Sequence, residues 1–466
     1  MFAATAAFFR RHRRKLLITA GVLGGVYFAG RHLLSRLADE RDKELAERLA
    51  HARMKQHFES NQKTCTTTAL SLITTLRERL LLALDTDELT AQLRRGSPDK
   101  LALWERLKVV SFTRAVAAIY AVCCLVALLR VQLNVMGRYM YLDSVDKQNR
   151  ANGSGNGNAN AGGTGADPTN QANNGARAAG ASAMHVSPYV QRLYLCLVHF
   201  LLSDGLELLI ADVERCVQAQ IGEIPLKKQL THAGLCGVVD HLRITLDQNI
   251  IQDGDITRYL LPSLDKQDTF MRDAFVQTNA PSAAAAAAGG ARIAPDDMRP
   301  LSVLVNETRR VLDTEPFAVV LTAALDAGFE VLSDGLLPVF AGSSPSSTTI
   351  NNINNNNNND GSGSTSNGAA SSSSPSRASG SSAPASLSDS FSADAEIASI
   401  PLAKIIPFVN AQVHSIFQVP QNKLLSRLAT LPLLDQFSAV IYAAFDGNTE
   451  DQLNTTFDAP DTSRIA

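Results

Sequence analysis

Apolar side chains recur along most of the chain at the three-to-four-residue spacing of helices that bury one face. A long helix is predicted from about residue 33 to 84, with Leu45 and Leu49 on its inward side. No alternating run has the length and β-branched content of a sheet strand. The sequence therefore predicts an all-α protein, an elongated helical bundle. Its later helices are predicted over residues 187–219, 226–248, 301–312, 317–340, 397–417 and 424–445.

Three segments interrupt the helical pattern. Residues 149–183 are mostly Asn, Gly and Ala, residues 342–390 are mostly Ser, Asn and Gly, and residues 280–294 include an alanine run. These segments carry too few large apolar groups to offset the entropy lost on ordering. The sequence predicts a helical domain over residues 38–446 that contains these disordered inserts, followed by a frayed tail over 447–466.

A basic cluster precedes an uncharged apolar run near the N-terminus. The run extends from residue 16 to 30, and further leucines follow up to Leu37. It is shorter than the roughly 20 residues that cross a bilayer, but basic stems at its ends can snorkel to the interface. We therefore expect a short basic N-terminus over residues 1–15 and a single transmembrane anchor over 16–37. The predicted membrane-targeting cations are Arg10, Arg11, Arg13, Arg14 and Lys15.

The apolar runs are also compatible with other kinds of segment. A secretory signal peptide has a similar layout, but no small-residue cleavage site leads into an extracellular-looking domain. Cations flank the anchor on both sides, so charge does not fix its orientation. A basic anchor of this kind is equally compatible with the mitochondrial outer membrane as an alternative location. A second run, residues 115–129 between Arg114 and Arg130, is too short to span a bilayer and is predicted to be a buried central helix.

A sharp corner between two helices is predicted near Gly96. Asp85 has the chemistry of an N-cap, and Glu88 completes a capping box, so one helix should begin at Thr86. Gly96 tolerates the left-handed conformation that ends helices. The Ser-Pro pair that follows should start the next helix, with Pro98 at its first position.

Trp104, the only tryptophan in the chain, lies on the helix after this corner. Lys100, Leu103, Trp104 and Leu107 follow one another at i, i+3, i+4 and i+7, and Leu93 lies on the preceding helix. Such a stripe can receive a partner helix. Periodicity alone favours ordinary core packing instead, because most apolar stripes are core.

Composition excludes several classes of function. The formal net charge is −2, and no basic patch is interleaved with aromatic residues, so nucleic acid is not an expected partner. The six cysteines form no Cys-x-x-Cys pair and have no histidine at zinc spacing, which predicts reduced thiols, no metal site and a cytosol-facing domain. The chain has no phosphate loop, dinucleotide fingerprint, nucleophile elbow or metalloprotease motif. We expect neither an enzyme nor a bound cofactor.

Six sequence blocks in a fixed order carry a further signal. They are residues 57–65, 111–114, 129–134, 141–143, 306–309 and 401–407. Together these blocks resemble the peroxin-3 family of peroxisomal membrane biogenesis factors. The pattern Gly-Gly-Val-Tyr at residues 24–27, behind the basic cluster, fits the same family. The similarity is nearly continuous from residue 10 to 143 and continues in blocks afterwards, and the order and spacing of the blocks make a chance match a poor explanation.

The resemblance implies a docking receptor for peroxin-19, the soluble chaperone that carries newly made peroxisomal membrane proteins. In the family, a groove containing a tryptophan receives the amphipathic N-terminal helix of peroxin-19. The matching positions in this chain are Leu93, Lys100, Leu103, Trp104 and Leu107, with Lys404 at the groove's edge.

The same resemblance implies an integral protein of the peroxisomal membrane whose bulk faces the cytosol, and it leaves open an origin at the endoplasmic reticulum. It adds peroxisomal membrane lipids as partners, and cargo membrane proteins indirectly, in support of membrane-protein insertion and peroxisome biogenesis. Some members of the family also recruit organelle inheritance or autophagy factors. A membrane-anchored tether of that kind is the alternative function, and it does not exclude the first.

Overall fold

The computed structural model describes most of the predicted helical domain. The predicted anchor, the basic N-terminus and most of each predicted insert lie outside the described residues. The described residues are 41, 45, 48–96, 98–154, 184–252, 255–278, 295–341, 399–445 and 449–457.

Helices account for nearly all of the described chain, so the all-α prediction is confirmed. The first helix, α1, covers residues 48–83. A π-helical turn over Gln248–Gln252 directly follows the helix His232–Asp247. The short strands β1 (Gln229–Leu230) and β2 (Ile400–Pro401) pair antiparallel. The other helices are α2 Thr86–Arg95, α3 Lys100–Ser154, α4 Pro188–Leu195, α5 Val198–Leu202, α6 Asp204–Gln220, α7 His232–Asp247, α8 Thr257–Leu260, α9 Leu264–Thr278, α10 Pro295–Leu312, α11 Glu315–Phe340, α12 Leu402–Ile416, α13 Lys423–Ala429, α14 Pro432–Ala443 and α15 Thr449–Phe457.

Helix α3 forms the axis of the bundle. Every residue from 107 to 136 is buried, and α2, α5, α6, α10, α11, α12 and α14 all pack against it. The prediction that residues 115–129 form a buried central helix is confirmed. A helix that is apolar on all sides must be surrounded by other elements, and here the surrounding helices supply that environment.

Three described helical stretches are long and apolar enough to cross a membrane: Lys100–Gln148, Pro188–Gln220 and Glu315–Phe340. The bent pair Lys423–Ala429 and Pro432–Ala443 passes the same test when taken together. The apolar part of Lys100–Gln148 is completely buried by other helices. Packing within the bundle therefore accounts for its hydropathy without a bilayer.

Two cations near the start of α3 are buried and hydrogen-bonded. Lys108 Nζ donates to the carbonyls of Gly222 at 2.9 Å and Ile224 at 2.8 Å. Arg114 Nη1 donates to the hydroxyl of Thr86 on α2 and, at 3.0 Å, to Asn410 Oδ1 on α12. These bonds tie α3 to a loop and to two helices that are distant in sequence.

Arg130 makes the equivalent connection in the middle of α3. Its Nη1 donates to Gln62 Oε1 on α1 and to Asp435 Oδ1 on α14, the latter at 3.0 Å. Gln62 Nε2 in turn donates to Asn134 Oδ1 at 2.8 Å. The polar residues of two family-like blocks, 57–65 and 129–134, therefore form one network between α1 and α3.

Arg138 is the last of the four buried cations. It forms an ion pair with Glu307 of α10, and its Nη1 donates to the carbonyl of Ile441 at 3.2 Å and to Thr449 Oγ1 at 3.0 Å. The Thr449 hydroxyl also donates to Glu307 Oε1 at 2.6 Å. This cluster joins the C-terminal part of α3 to α10, α14 and α15.

The C-terminal prediction was wrong for part of the tail. Residues 449–457, predicted to be frayed, form α15, and its Leu453 is completely buried. The apolar contact of Leu453 and the polar contact of Thr449 with Arg138 hold this helix on the bundle. The predicted insert at 149–183 also begins too early, because α3 continues to Ser154.

Two predicted helix boundaries also differ. Residues 226–230 were predicted to be helical, but the N–H groups of Ala403 and Leu402 donate to the carbonyls of Leu226 and Lys228, each at 3.0 Å. These bonds and the β1–β2 pair hold the segment as a turn followed by a two-residue strand, and α12 begins at Leu402 instead of residue 397. The last long helix is divided into α13 and α14, because Pro432 disfavours helical backbone at the residue before it.

The buried ion pair of Arg138 yields a prediction. Replacing Glu307 by Ala leaves the Arg138 guanidinium, 1 % exposed, without its carboxylate. Loss of one partner of a buried pair should lower the free energy of unfolding by about 3 kcal/mol or more, measured by urea denaturation of the full chain in detergent. Glu88→Ala, which removes the exposed 4.0 Å pair with Arg95, is the matched control and should have a much smaller effect. Equal effects of the two substitutions would contradict the assignment.

Candidate partner-binding site

The predicted corner between α2 and α3 is confirmed. The side chain of Asp85 accepts from the N–H groups of Asp87 at 2.8 Å and Glu88 at 3.2 Å, which caps α2 at its first turn. At the other end Gly96 adopts φ +83°, and its N–H donates to the carbonyl of Leu93 at 3.4 Å. A side chain at Gly96 would be strained, so glycine allows the chain to turn here.

The start of α3 lies slightly later than predicted. Pro98 and Asp99 belong to a turn, and the helix begins at Lys100. The N–H of Leu103 donates to the carbonyl of Asp99 at 3.1 Å. Pro98 therefore shapes the corner but does not occupy the first helical position.

The apolar stripe at this corner is neither sealed in the core nor fully exposed. Leu93, Leu103 and Trp104 are half-buried, and Leu107 is 7 % exposed. Within the described residues, the main apolar core of the bundle includes none of these four side chains. Lys100 is exposed at the edge of the stripe. The four apolar residues lie on the two helices that meet at the corner, Leu107 being the most buried of them. We call this set of residues the α2–α3 corner patch.

Arg114 holds α2 in place beneath this patch. It donates to the hydroxyl of Thr86, the first residue of α2, which is buried although polar. Burial lowers the pKa of Arg114, and the carboxylates of Asp87 and Asp85 act in the opposite direction. Leu89, one helical turn further, packs against the main core. The first half of α2 is therefore held against the bundle. Leu93, in the last turn of α2, does not belong to the main core.

Lys108 fixes the first turns of α3 and was not predicted from the sequence. It lies one helical turn after Trp104 and is fully buried, with its Nζ 2.5 Å from Glu105 Oε2. The only signal in the sequence is a lysine at i+3 from a glutamate on an otherwise apolar helix face. Lys108 holds Gly222 and Ile224, so the loop after α6 lies against the start of α3.

The same loop also holds the start of α12. Leu402 and Ala403 donate to carbonyls of residues 228 and 226, only a few positions after Ile224. Lys404, the next residue of α12, is exposed. The loop therefore brings Lys404 to the same end of the bundle as Trp104, although no hydrogen bond or ion pair of the described residues joins Lys404 to the α2–α3 corner patch.

The remaining predicted site residues are the N-terminal cations. Arg10, Arg11, Arg13, Arg14 and Lys15 lie outside the described residues. Leu101, exposed beside the α2–α3 corner patch, was not identified as a contact residue because it falls off the helical stripe. Among the described residues, no three His, Cys, Asp or Glu side chains are grouped to hold a metal ion.

The described residues define an all-helical protein with an apolar patch at one end of its bundle. The peroxin-3 family model matches residues 7–102 and 95–444. Peroxisomal biogenesis factor 3 of Bos taurus is 32% identical over 461 residues, covering 97% of this chain and 100% of the relative. The Homo sapiens protein of the same name is 32% identical over 454 residues, covering 96% and 98%. That of Yarrowia lipolytica is 23% identical over 381 residues, covering 73% and 84%.

The chain therefore belongs to the peroxin-3 family, and the resemblance inferred from the sequence blocks is confirmed. Membership gives it a role in peroxisome biogenesis, as a protein of the peroxisomal membrane.

The cap at Asp85 generates a prediction about the corner. Asp85→Ala removes the oxygen that accepts from Asp87 and Glu88 and should destabilise α2 by about 1 kcal/mol. Asp85→Asn retains a capping oxygen and is the matched control. Hydrogen exchange of α2 amides in the full chain should become several-fold faster in the alanine variant and stay close to wild type in the asparagine variant. Identical exchange in both variants would show that the cap does not hold the corner.

Proposed function

We propose that this protein is the docking receptor for peroxin-19 at the peroxisomal membrane. The observation that carries the proposal is the half-buried Trp104 in an apolar patch separate from the main core. Membership of the peroxin-3 family supports it, because the apolar positions that the family resemblance assigns to the groove are the residues of the α2–α3 corner patch.

The chemistry of the α2–α3 corner patch suits an amphipathic helix. Leu93, Leu103 and Trp104 offer partly exposed apolar surface, and a helix laid across them would remove that surface from water. A large aromatic side chain at the centre of such a patch is the usual energetic anchor of an interface. Lys100 and Lys404, both exposed, supply cations that orient a partner through acidic residues beside its apolar face.

Docking also requires the bundle to face the cytosol, where peroxin-19 is soluble. The buried position of residues 115–129 supports this arrangement, because a second span there would separate the α2–α3 corner patch from the rest of the domain. In the proposed arrangement the anchor at 16–37 holds the bundle on the membrane. The bundle then receives peroxin-19 with its cargo, which is passed to the membrane for insertion.

Trp104→Ala tests this proposal. The variant should weaken binding of peroxin-19 by roughly 2 kcal/mol or more, about 30-fold in Kd, because the partner's apolar face loses its principal contact. The measurement is a titration of labelled peroxin-19 with the full chain in nanodiscs. Circular dichroism should show unchanged helicity, because the indole lies outside the main core.

Ile244→Ala is the matched control. Ile244 is also a large exposed apolar residue, on α7, whose Asp247 contacts Tyr120 of α3. Tyr120 lies ~24 Å along α3 from Trp104 at the rise of an α-helix. The control should bind peroxin-19 as the wild type does. Unchanged affinity of the Trp104 variant, or an equal loss in both variants, would reject the assignment of the site.

A further inference from the structure

A cavity of about 930 Å³ opens beside α11, on elements that do not contribute to the α2–α3 corner patch. Its walls come from the π-helical turn after α7, the end of α10, the N-terminal half of α11 and the start of α14. Val319, one of its lining residues, is 47 % exposed. The apolar side chains that line it are Ile251, Ile256, Leu312, Ala318, Val319, Ala323 and Leu433.

A second cavity, of about 240 Å³, lies further along α11. Asp326 lines both. Glu315, Val319 and Thr322 precede it on the same helical face, and Glu330 and Asp334 follow. From Glu315 to Asp334 the two cavities extend ~28 Å at the rise of an α-helix. We call the two adjoining cavities together the α11 furrow.

The charged groups of the α11 furrow are almost all acidic. Seven carboxylates line it, and Arg243 is the one cation among its lining residues. Arg243 lies 2.5 Å from Asp326 Oδ1 and 3.2 Å from Asp247 Oδ2, so it neutralises only part of this charge. The carboxylates are Asp240, Asp255, Asp313, Glu315, Asp326, Glu330 and Asp334.

The remaining carboxylates differ in how they are engaged. Glu330 pairs with Arg427, and Asp255 and Asp313 accept hydrogen bonds from Thr257. Among the described residues, Asp240, Glu315 and Asp334 form no ion pair. The α11 furrow therefore keeps an excess of negative charge after its internal pairs are counted.

Lipid does not fit this surface. Helix α11 is long and apolar enough to cross a membrane, but its outward face carries Glu315, Asp326, Glu330 and Asp334, and carboxylates in hydrocarbon are costly. Anionic headgroups and nucleic acids would be repelled by the same residues. A simple cation would leave the apolar floor exposed to water.

We propose that the α11 furrow binds a basic amphipathic helix of a partner protein. The apolar face of that helix covers Val319 and the floor around it, and its lysines or arginines lie against the carboxylates of the rim. A helix of roughly 18 residues matches the length of the furrow at 1.5 Å per residue. The π-helical turn that carries Ile251 and Gln252 into the wall supports a binding role, because such turns are frequent at functional sites.

The test uses the full chain in nanodiscs of zwitterionic lipid and a fluorescein-labelled synthetic helix of 18 residues. The probe carries leucines on one face and lysines on the other. Two matched peptides replace every lysine by glutamate or shuffle the order so that no apolar face forms. Anisotropy with empty nanodiscs is subtracted. We expect only the basic amphipathic peptide to bind, and its affinity to fall as salt is raised, since salt screens exposed charges.

Three variants of the chain locate the binding. Val319→Asp places a charge in the apolar floor and should weaken binding about tenfold or more, since a contact that buries an unpaired charge is unfavourable. The double variant Glu315→Gln and Asp334→Asn removes two unpaired carboxylates and should weaken binding severalfold, with a smaller dependence on salt. Leu82→Asp, at an exposed leucine of α1, is the control and should bind as the wild type does.

Each result supports or overturns the proposal. Weaker binding by Val319→Asp and by the double variant, with unchanged thermal midpoints, supports it. Equal binding of the lysine and glutamate peptides would overturn it, and so would wild-type affinity in the Val319 variant. Trp104→Ala should leave binding of the probe unchanged, and a loss in that variant would place the peptide on the α2–α3 corner patch instead.

Discussion

The fold depends on burying four cations of one helix. Lys108, Arg114, Arg130 and Arg138 lie on α3 where it is surrounded by other helices. A buried charge without a partner costs several kcal/mol, so each cation requires oxygen atoms at a fixed position. The loop after α6 supplies them to Lys108, and α2 and α12 supply them to Arg114. Arg130 is bound by α1 and α14, and Arg138 by α10 and α15. These bonds connect α3 at four positions along its length to elements that are distant in sequence.

The partial exposure of the α2–α3 corner patch follows from its position at the end of the buried part of α3. Lys108 and Arg114 fix the last fully buried turns at the start of α3, and Trp104 lies one turn earlier, where the surrounding helices no longer enclose it. The loop that pairs with Lys108 also holds the start of α12 and so positions Lys404. The surrounding elements thereby hold the start of α3, with its half-buried indole, in a fixed position. In the proposed function this is the preorganised surface that receives the partner helix.

Local chemistry explains which features were predictable from the sequence. Asp85, Glu88 and Gly96 act through neighbouring residues, so the corner was located to within two residues. The uncharged run at 115–129 also identified the central helix. Arg138 and Thr449, by contrast, are 311 residues apart, and nothing in either segment indicates the other.

Other features of the structure could not be predicted from the sequence for the same reason. The burial of Lys108, the β1–β2 pair and the order of α15 arise from long-range contacts. The positions of the site residues came from the family resemblance. The structure adds that Leu107 is buried and that Trp104 is half-buried.

The emission of Trp104 tests the central claim most directly, because it is the only tryptophan in the chain. The free full chain should show emission that acrylamide quenches, as expected of a half-buried ring. Addition of a tryptophan-free N-terminal helix of peroxin-19 should shift the emission to shorter wavelength and reduce quenching, since the partner excludes water from the indole. An emission spectrum and quenching that do not change at saturating partner would contradict the account.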